Sequence, residues 1–175
     1  MLDRLSRGFE RLLATIVGLL LVTLTVVVVV AVVYRKAGAS LVWYDEVASI
    51  LLAWLTYYGA ALAALKRAHI GFTGLVDGLP PRLRLSAILF GELCVIGFFA
   101  LLAWTGWRVL QVLQGTYLIS LPWVPVQFTQ SVIPIGATLF ILAQLLSLPE
   151  VLRRAREGAP SPGHVPETVE ERAGP

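Results

Sequence analysis

One carboxylate lies deep inside the apolar part of this chain, and it is the first residue to weigh for chemistry. Glu92 is the only charge in residues 85–107, between Gly91 and Leu93. On insertion scales a central acid costs about 2.5–3.5 kcal/mol, while each Leu, Ile, Phe or Val contributes about 0.3–0.6 in favour. The default role of an intramembrane acid is a proton or cation relay. A relay needs a second group to take the proton, and no other acid or base stands inside an apolar run. The blander reading places Glu92 in the inner half of its helix, about 12 Å from Arg84 by helical rise, bonded to a neighbouring helix or a partner subunit. The sequence favours the bland reading.

The other reactive residues assemble into nothing. His69 stands just past Arg67, and its one companion, His164, lies far off near the C-terminus. A bis-histidine haem site is excluded. Cys94 is the single cysteine, so there is neither a disulfide framework nor a CxxC metal site, and a small buried hydrophobe is its expected role. No Ser/His/Asp or Cys/His set and no glycine-rich phosphate loop occurs. Asp45 and Glu46 precede an apolar run, where acids suit a helix N-terminus. No enzyme, cofactor or metal site is implied.

The elements that hold these residues are four apolar runs, at about 12–33, 47–65, 85–107 and 126–148. A helix rises about 1.5 Å per residue, so roughly 20 residues cross a hydrocarbon core of about 30 Å. Backbone groups in lipid must be satisfied within the segment, which makes such runs helices. The chain is 57% hydrophobic and only 14% charged, against roughly a quarter charged in soluble domains. The expected fold is an all-α membrane protein with four transmembrane helices in one domain, 1–150, and a disordered cytoplasmic tail, 151–175. The first run is longer than a signal peptide's h-region of about 7–15 residues. Arg35 and Lys36 also separate it from the Ala37-Gly38-Ala39 that imitates a cleavage site. A retained helix is expected.

Basic residues fix the orientation. Arg4, Arg7, Arg11, Lys66, Arg67, Arg82, Arg84, Arg153, Arg154, Arg156 and Arg172 fall on one side, against Arg35, Lys36 and Arg108 on the other. The positive-inside bias places both termini in the cytoplasm. Basic residues beside apolar runs act as topology signals, so the partner is a lipid bilayer and not a nucleic acid. Phe72, Leu75, Val76 and Leu79 follow amphipathic-helix spacing, which predicts a short interfacial helix between the second and third spans, ended by Pro80-Pro81. The 118–123 segment is apolar but Pro-rich, an outer-surface connection leading to a fourth helix near Val126. Pro134 should kink that helix.

Along the second span, Trp43, Glu46, Trp54, Gly59, Ala60, His69 and Ile70 make an ordered pattern. Trp, an acid three residues on, a central Trp, a small-residue stretch and a basic-His-hydrophobic exit resemble the small permease subunit of TRAP transporters, the DctQ type. Leu79-Pro80, Leu121-Pro122-Trp123 and Pro134-Ile135-Gly136 are similar to further features of that family. The resemblance covers about residues 12–148. One departure is Gly71-Phe72-Thr73, where an acidic position is expected.

The resemblance implies a scaffold subunit of a tripartite, Na+-coupled organic-acid uptake transporter in the bacterial inner membrane. Its partners would be a large multi-span permease subunit and a periplasmic substrate-binding protein. The expected subunit-interface residues are Trp43, Glu46, Trp54, Gly59, Ala63 and His69. Trp43 and Glu46 share a helical face, and small residues let helices approach closely in lipid. Alternatively, these residues face the chain's own helices. Two rival functions stay open: an autonomous four-helix transporter coupled through Glu92, and an accessory subunit of another membrane complex.

Overall fold

The computed structural model describes residues 2–66 and 80–157. It consists of α1 (Leu2–Lys36), α2 (Tyr44–Leu65), α3 (Pro81–Val112), the short α4 (Val126–Gln130) and α5 (Val132–Glu157). Four helical segments are long and apolar enough to cross a membrane. Among the described residues there is no strand. The interfacial helix expected near residues 72–79, and His69, lie outside the described residues. So do residues 158–175, whereas the last helix continues past the boundary expected at 150, as far as Glu157.

Local chemistry accounts for the ends and breaks. Val26–Val30 is helical despite its β-branched side chains, because lipid offers the backbone no other partners. Arg35 and Lys36 close the last turn of α1, at the negative end of its dipole. Pro81 opens α3, a position where the missing N–H would have had no helical partner. The kink expected at Pro134 appears one turn earlier, as an interruption at Ser131 between α4 and α5. A proline ring collides with the carbonyl four residues back, here that of Gln130, the last residue of α4. Ser131 and Ile135 then restart the ladder, with the Ile135 N–H donating to the Ser131 carbonyl at 3.2 Å.

The helices stand in a row. α1 packs on α2, α2 on α5, and α5 on α3. In that order α5 is the inner element, and 39% of its spanning window is buried against 6% for α1 and for α3. The core is small: Leu13 of α1, Ala61 and Ala64 of α2, and Phe140 and Ala143 of α5. Phe99 of α3 stacks on Phe140 with ring centroids 3.6 Å apart.

Two glycines let α5 fit between its neighbours. A Cβ on Gly136 would lie 2.7 Å from the Cβ of Tyr57 in α2. A Cβ on Gly106 of α3 would lie 2.9 Å from Ile133 and 3.0 Å from the Pro134 ring. Pro134 and Gly136 are therefore packing residues on two sides of one helix, with Ile135 partly exposed between them. At Gly59, by contrast, an added Cβ meets nothing within 4 Å. Gly136→Ala should destabilise the purified subunit by about 1–3 kcal/mol, the usual cost of overpacking, whereas Gly59→Ala should be neutral or slightly stabilising. Thermal unfolding in detergent compares the two; equal melting temperatures would discard the close-approach account.

Candidate functional site

The face of α2 that carries Glu46 and Trp54, with Trp43 just before it, turns toward the chain's own 113–125 loop and α4. Glu46 accepts the Ser120 N–H at 3.0 Å and the Ile119 N–H at 3.4 Å. The Ser120 hydroxyl donates to the same carboxylate. The loop it grips is braced internally: Leu118 N–H donates to the Val124 carbonyl at 3.1 Å, and Val126 N–H to the Thr116 carbonyl at 2.9 Å. Gly115, at φ +79°, makes the left-handed turn that leaves α3, a conformation that suits glycine. On the other connection, Arg35 donates to the Tyr44 hydroxyl and lies over its ring.

Trp54 sits a few turns deeper. Its indole Nε1–H donates to the Thr129 carbonyl at 2.9 Å, and its ring lies 5.3 Å from that of Phe128 and 6.4 Å from that of Tyr58. The N–H that Pro134 lacks would have met the Gln130 carbonyl; the indole bonds the neighbouring carbonyl of Thr129 at the same helix junction. Trp43, just before α2, is half-buried on the same side by helical spacing.

Gly59 and Ala63 point elsewhere. At about 100° per residue they lie some 140–180° round the helix from Trp54, beside exposed Leu52 and Thr56. The six residues expected at an interface thus divide. Trp54 and Glu46 use their polar groups inside this chain and Trp43 is half-buried on their side, Gly59 and Ala63 occupy an open face, and His69 is outside the described residues.

Glu92 joins α3 to α5. The Gln144 Nε2–H donates to Glu92 Oε2 at 2.5 Å, and Gln144 is itself buried. Helix-to-helix hydrogen bonds in membranes average about 0.6 kcal/mol and reach about 1.7, less than the insertion cost of an acid. The eleven Leu, Ile, Phe and Val residues of 85–107 contribute roughly 3–7 kcal/mol, so the helix inserts and the bond sets which face meets α5. Near the opposite end from Glu46, Lys66 pairs with Glu10 at 3.1 Å; both are well exposed, and such pairs are worth about 0–1 kcal/mol. Cys94 corrects an expectation: it is exposed, not buried, because the row leaves that side of α3 to lipid. Among the described residues no group of His, Cys, Asp and Glu could hold a metal ion.

Several contributors went unnoticed in the sequence. Gln144 is a carboxamide within an apolar run, the same signal that singled out Glu92. Gly106 and the Ser120 and Thr129 backbone partners carry no local signal, since their roles exist only once distant segments meet.

Described in this way, the chain is a multi-pass helical membrane protein whose prominent intramembrane polar groups bind helix to helix. Its sequence belongs to the family of tripartite ATP-independent periplasmic transporters, DctQ component, matched over residues 24–154. That makes it a small permease component of a TRAP transporter. Comparison with curated protein sequences found no match.

Removing the Glu46 clasp should loosen the 113–125 loop and little else. In Glu46→Ala, amide exchange at Ile119 and Ser120 should quicken several-fold while α2 and α5 keep their protection. Unchanged exchange at those two amides would show that the loop stands without Glu46.

Proposed function

We propose that this chain is the scaffold subunit of a Na+-coupled organic-acid uptake transporter in the bacterial inner membrane. It holds a large multi-span permease subunit in place, and a periplasmic substrate-binding protein delivers the acid. Both termini are cytoplasmic, which puts the Lys66 end inside with most of the basic residues and the Glu46 end outside. The observation that carries the reading is the open row of helices. A transport path needs walls on all sides, and a row of four helices encloses none. Glu92 and Gln144 are turned toward each other, as structural members of a seam. TRAP membership supports the proposed partners and substrate class.

In this reading the large subunit lies against the open face of α2, with Gly59 and Ala63 giving close approach; His69, three residues past Lys66 in the sequence, is proposed as a further contact. Trp43, Glu46 and Trp54 support that interface from behind by fixing the outer half of α2 to α4 and the outer loop. Little hydrophobic drive acts between helices in lipid, so close packing and polar contacts must supply the association. Gly59→Leu with Ala63→Leu should release the large subunit on co-purification, while the isolated small subunit melts at its usual temperature. Normal co-purification of that double variant would move the interface off this face.

Reconstitution into proteoliposomes with an inward Na+ gradient tests the function itself. The small subunit alone should take up no organic acid, and uptake should appear only with the large subunit and the binding protein. Uptake by the small chain alone would refute the scaffold reading. Glu92→Gln keeps the volume and can still bond Gln144, so the assembled transporter should retain most of its activity. Loss of uptake in a normally assembled Glu92→Gln complex would instead assign Glu92 a relay role.

A further inference from the structure

The seams hold the four helices in a fixed register, and that register shows where a bilayer must cut them. Gly136 faces Tyr57, and Ala143 clusters with Ala64, so α5 runs beside α2 with a constant offset. Leu13 clusters with Ala61 and Ala64, and Glu10 meets Lys66, which sets α1 against α2. Phe99 is level with Phe140, and Gly106 with Ile133 and Pro134, which sets α3 against α5. Carried across the row, these registers place Arg108 level with Ser131, Leu52 and Leu24. Arg35 stands 11 residues beyond Leu24 along α1. At the Lys66 end, Arg11 is level with Leu65, Gln144 and Val95. Arg84 stands 11 residues beyond Val95 along α3.

The two displacements agree in size and sense. Each is about 16 Å of helix, and both set α1 toward the Glu46 side and α3 toward the Lys66 side. Basic residues end apolar runs where the hydrocarbon ends, so the two membrane boundaries cross the row on parallel slants. Three steps of about 8–10 Å between axes make the row about 27 Å wide, and a rise of about 16 Å over that width is an inclination of about 30°. The lengths then close. Arg11 to Arg35 and Arg84 to Arg108 are each 24 residues, or about 36 Å of helix. Upright, that overshoots a hydrocarbon core of about 30 Å; inclined by about 30°, it projects to about 31 Å.

Other residues fall on the same slant. The line from Arg35 to Arg108 crosses α2 near Asp45, and the line from Arg11 to Arg84 crosses α5 within about two residues of Arg153. Tyr34 and Trp107 are exposed beside Arg35 and Arg108. Upright helices would set Trp107 about 16 Å deeper than Tyr34, away from the interface that tryptophan favours. Leu89 and Phe90 are exposed on α3 beyond the level of Lys66, where an upright row bounded at Lys66 would leave them in water.

We infer that the row lies obliquely in the bilayer, its axes inclined by about 30° within the plane of the row, inside the range of about 0–40° found for membrane helices. Standing the row upright would submerge Arg108 or Arg11, or lift apolar turns of α1 and α3 into water. An upright helix of a partner laid against the row would cross its helices at that same angle, so the surface offered to another membrane protein is oblique. The inference needs neither the sidedness of the termini nor a transport role.

Spin-label depth measurements on the assembled transporter in lipid vesicles test it, with one nitroxide at a time on a Cys94→Ser background. Val26 and Val109 are level to within one residue, as are Leu12 and Val95, and all four are exposed. Accessibility to oxygen against a nickel chelate should place Val109→Cys about 13 Å shallower than Val26→Cys, and Leu12→Cys shallower than Val95→Cys by the same amount. Equal depths within each pair would mean an upright row, and a reversed order would mean the opposite slant; either overturns the proposal. A label-free measurement covers any disturbance by the nitroxides. With only the small subunit isotope-labelled, its shifted amide band in polarised infrared spectra of oriented bilayers should report a mean helix inclination near 30°, and a value under about 15° would overturn the proposal. None of these readouts depends on uptake, so they stand or fall apart from the scaffold assignment.

Discussion

The structure depends on how closely α5 approaches the helices on either side of it. In water, burial of apolar surface would drive the helices together; in lipid the tails are as apolar as the side chains, and contact distance matters more. Gly136 yields to Tyr57 on one side, and Gly106 yields to Ile133 and Pro134 on the other. With α5 seated in both grooves, Phe99 can stack on Phe140 and Gln144 can reach Glu92. The same proline that packs into α3 also interrupts the helix at Ser131, and the short α4 so formed supplies the Thr129 carbonyl to Trp54. One Pro-Ile-Gly triplet thus sets two seams and one polar contact.

Because the seams form a row, the buried core is small and each edge helix has one principal neighbour. A soluble protein so arranged would be unstable, since the apolar faces of α1 and α3 lie open. In a bilayer those faces are solvated, and a broad flat surface is available for another membrane protein. The fold therefore suits a protein whose work is to be adjacent to something. Polar side chains inside the spans then serve to orient helices, and Glu46 ties the start of α2 to the loop between α3 and α4.

Much of this was legible in the sequence. The four spans could be read from apolar run length alone, because the bilayer sets a length scale that soluble folds lack. The shared face of Trp43, Glu46 and Trp54 followed from helical spacing. What that face touches did not, since Ser120 and Thr129 lie more than seventy residues away and nothing local marks them. Gly59 and Ala63 looked like members of the same set because they are small and close in sequence; their angular offset places them on another side. Cys94 is exposed, whereas in soluble proteins a cysteine amid apolar residues is usually interior. Beside lipid, apolar surroundings in sequence say nothing about which way a side chain points.

The order of the row has a consequence for synthesis. α2 and α3 are consecutive in the chain, yet no principal seam joins them, because α5 lies between. A ribosome delivers α1, α2 and α3 to the membrane before α5 exists. Until then α3 has no mate, and Glu92 sits in lipid without Gln144. The helix made last completes the assembly, so a chain stalled before Val132 would lack both the Gln144 bond to Glu92 and the stack of Phe140 on Phe99.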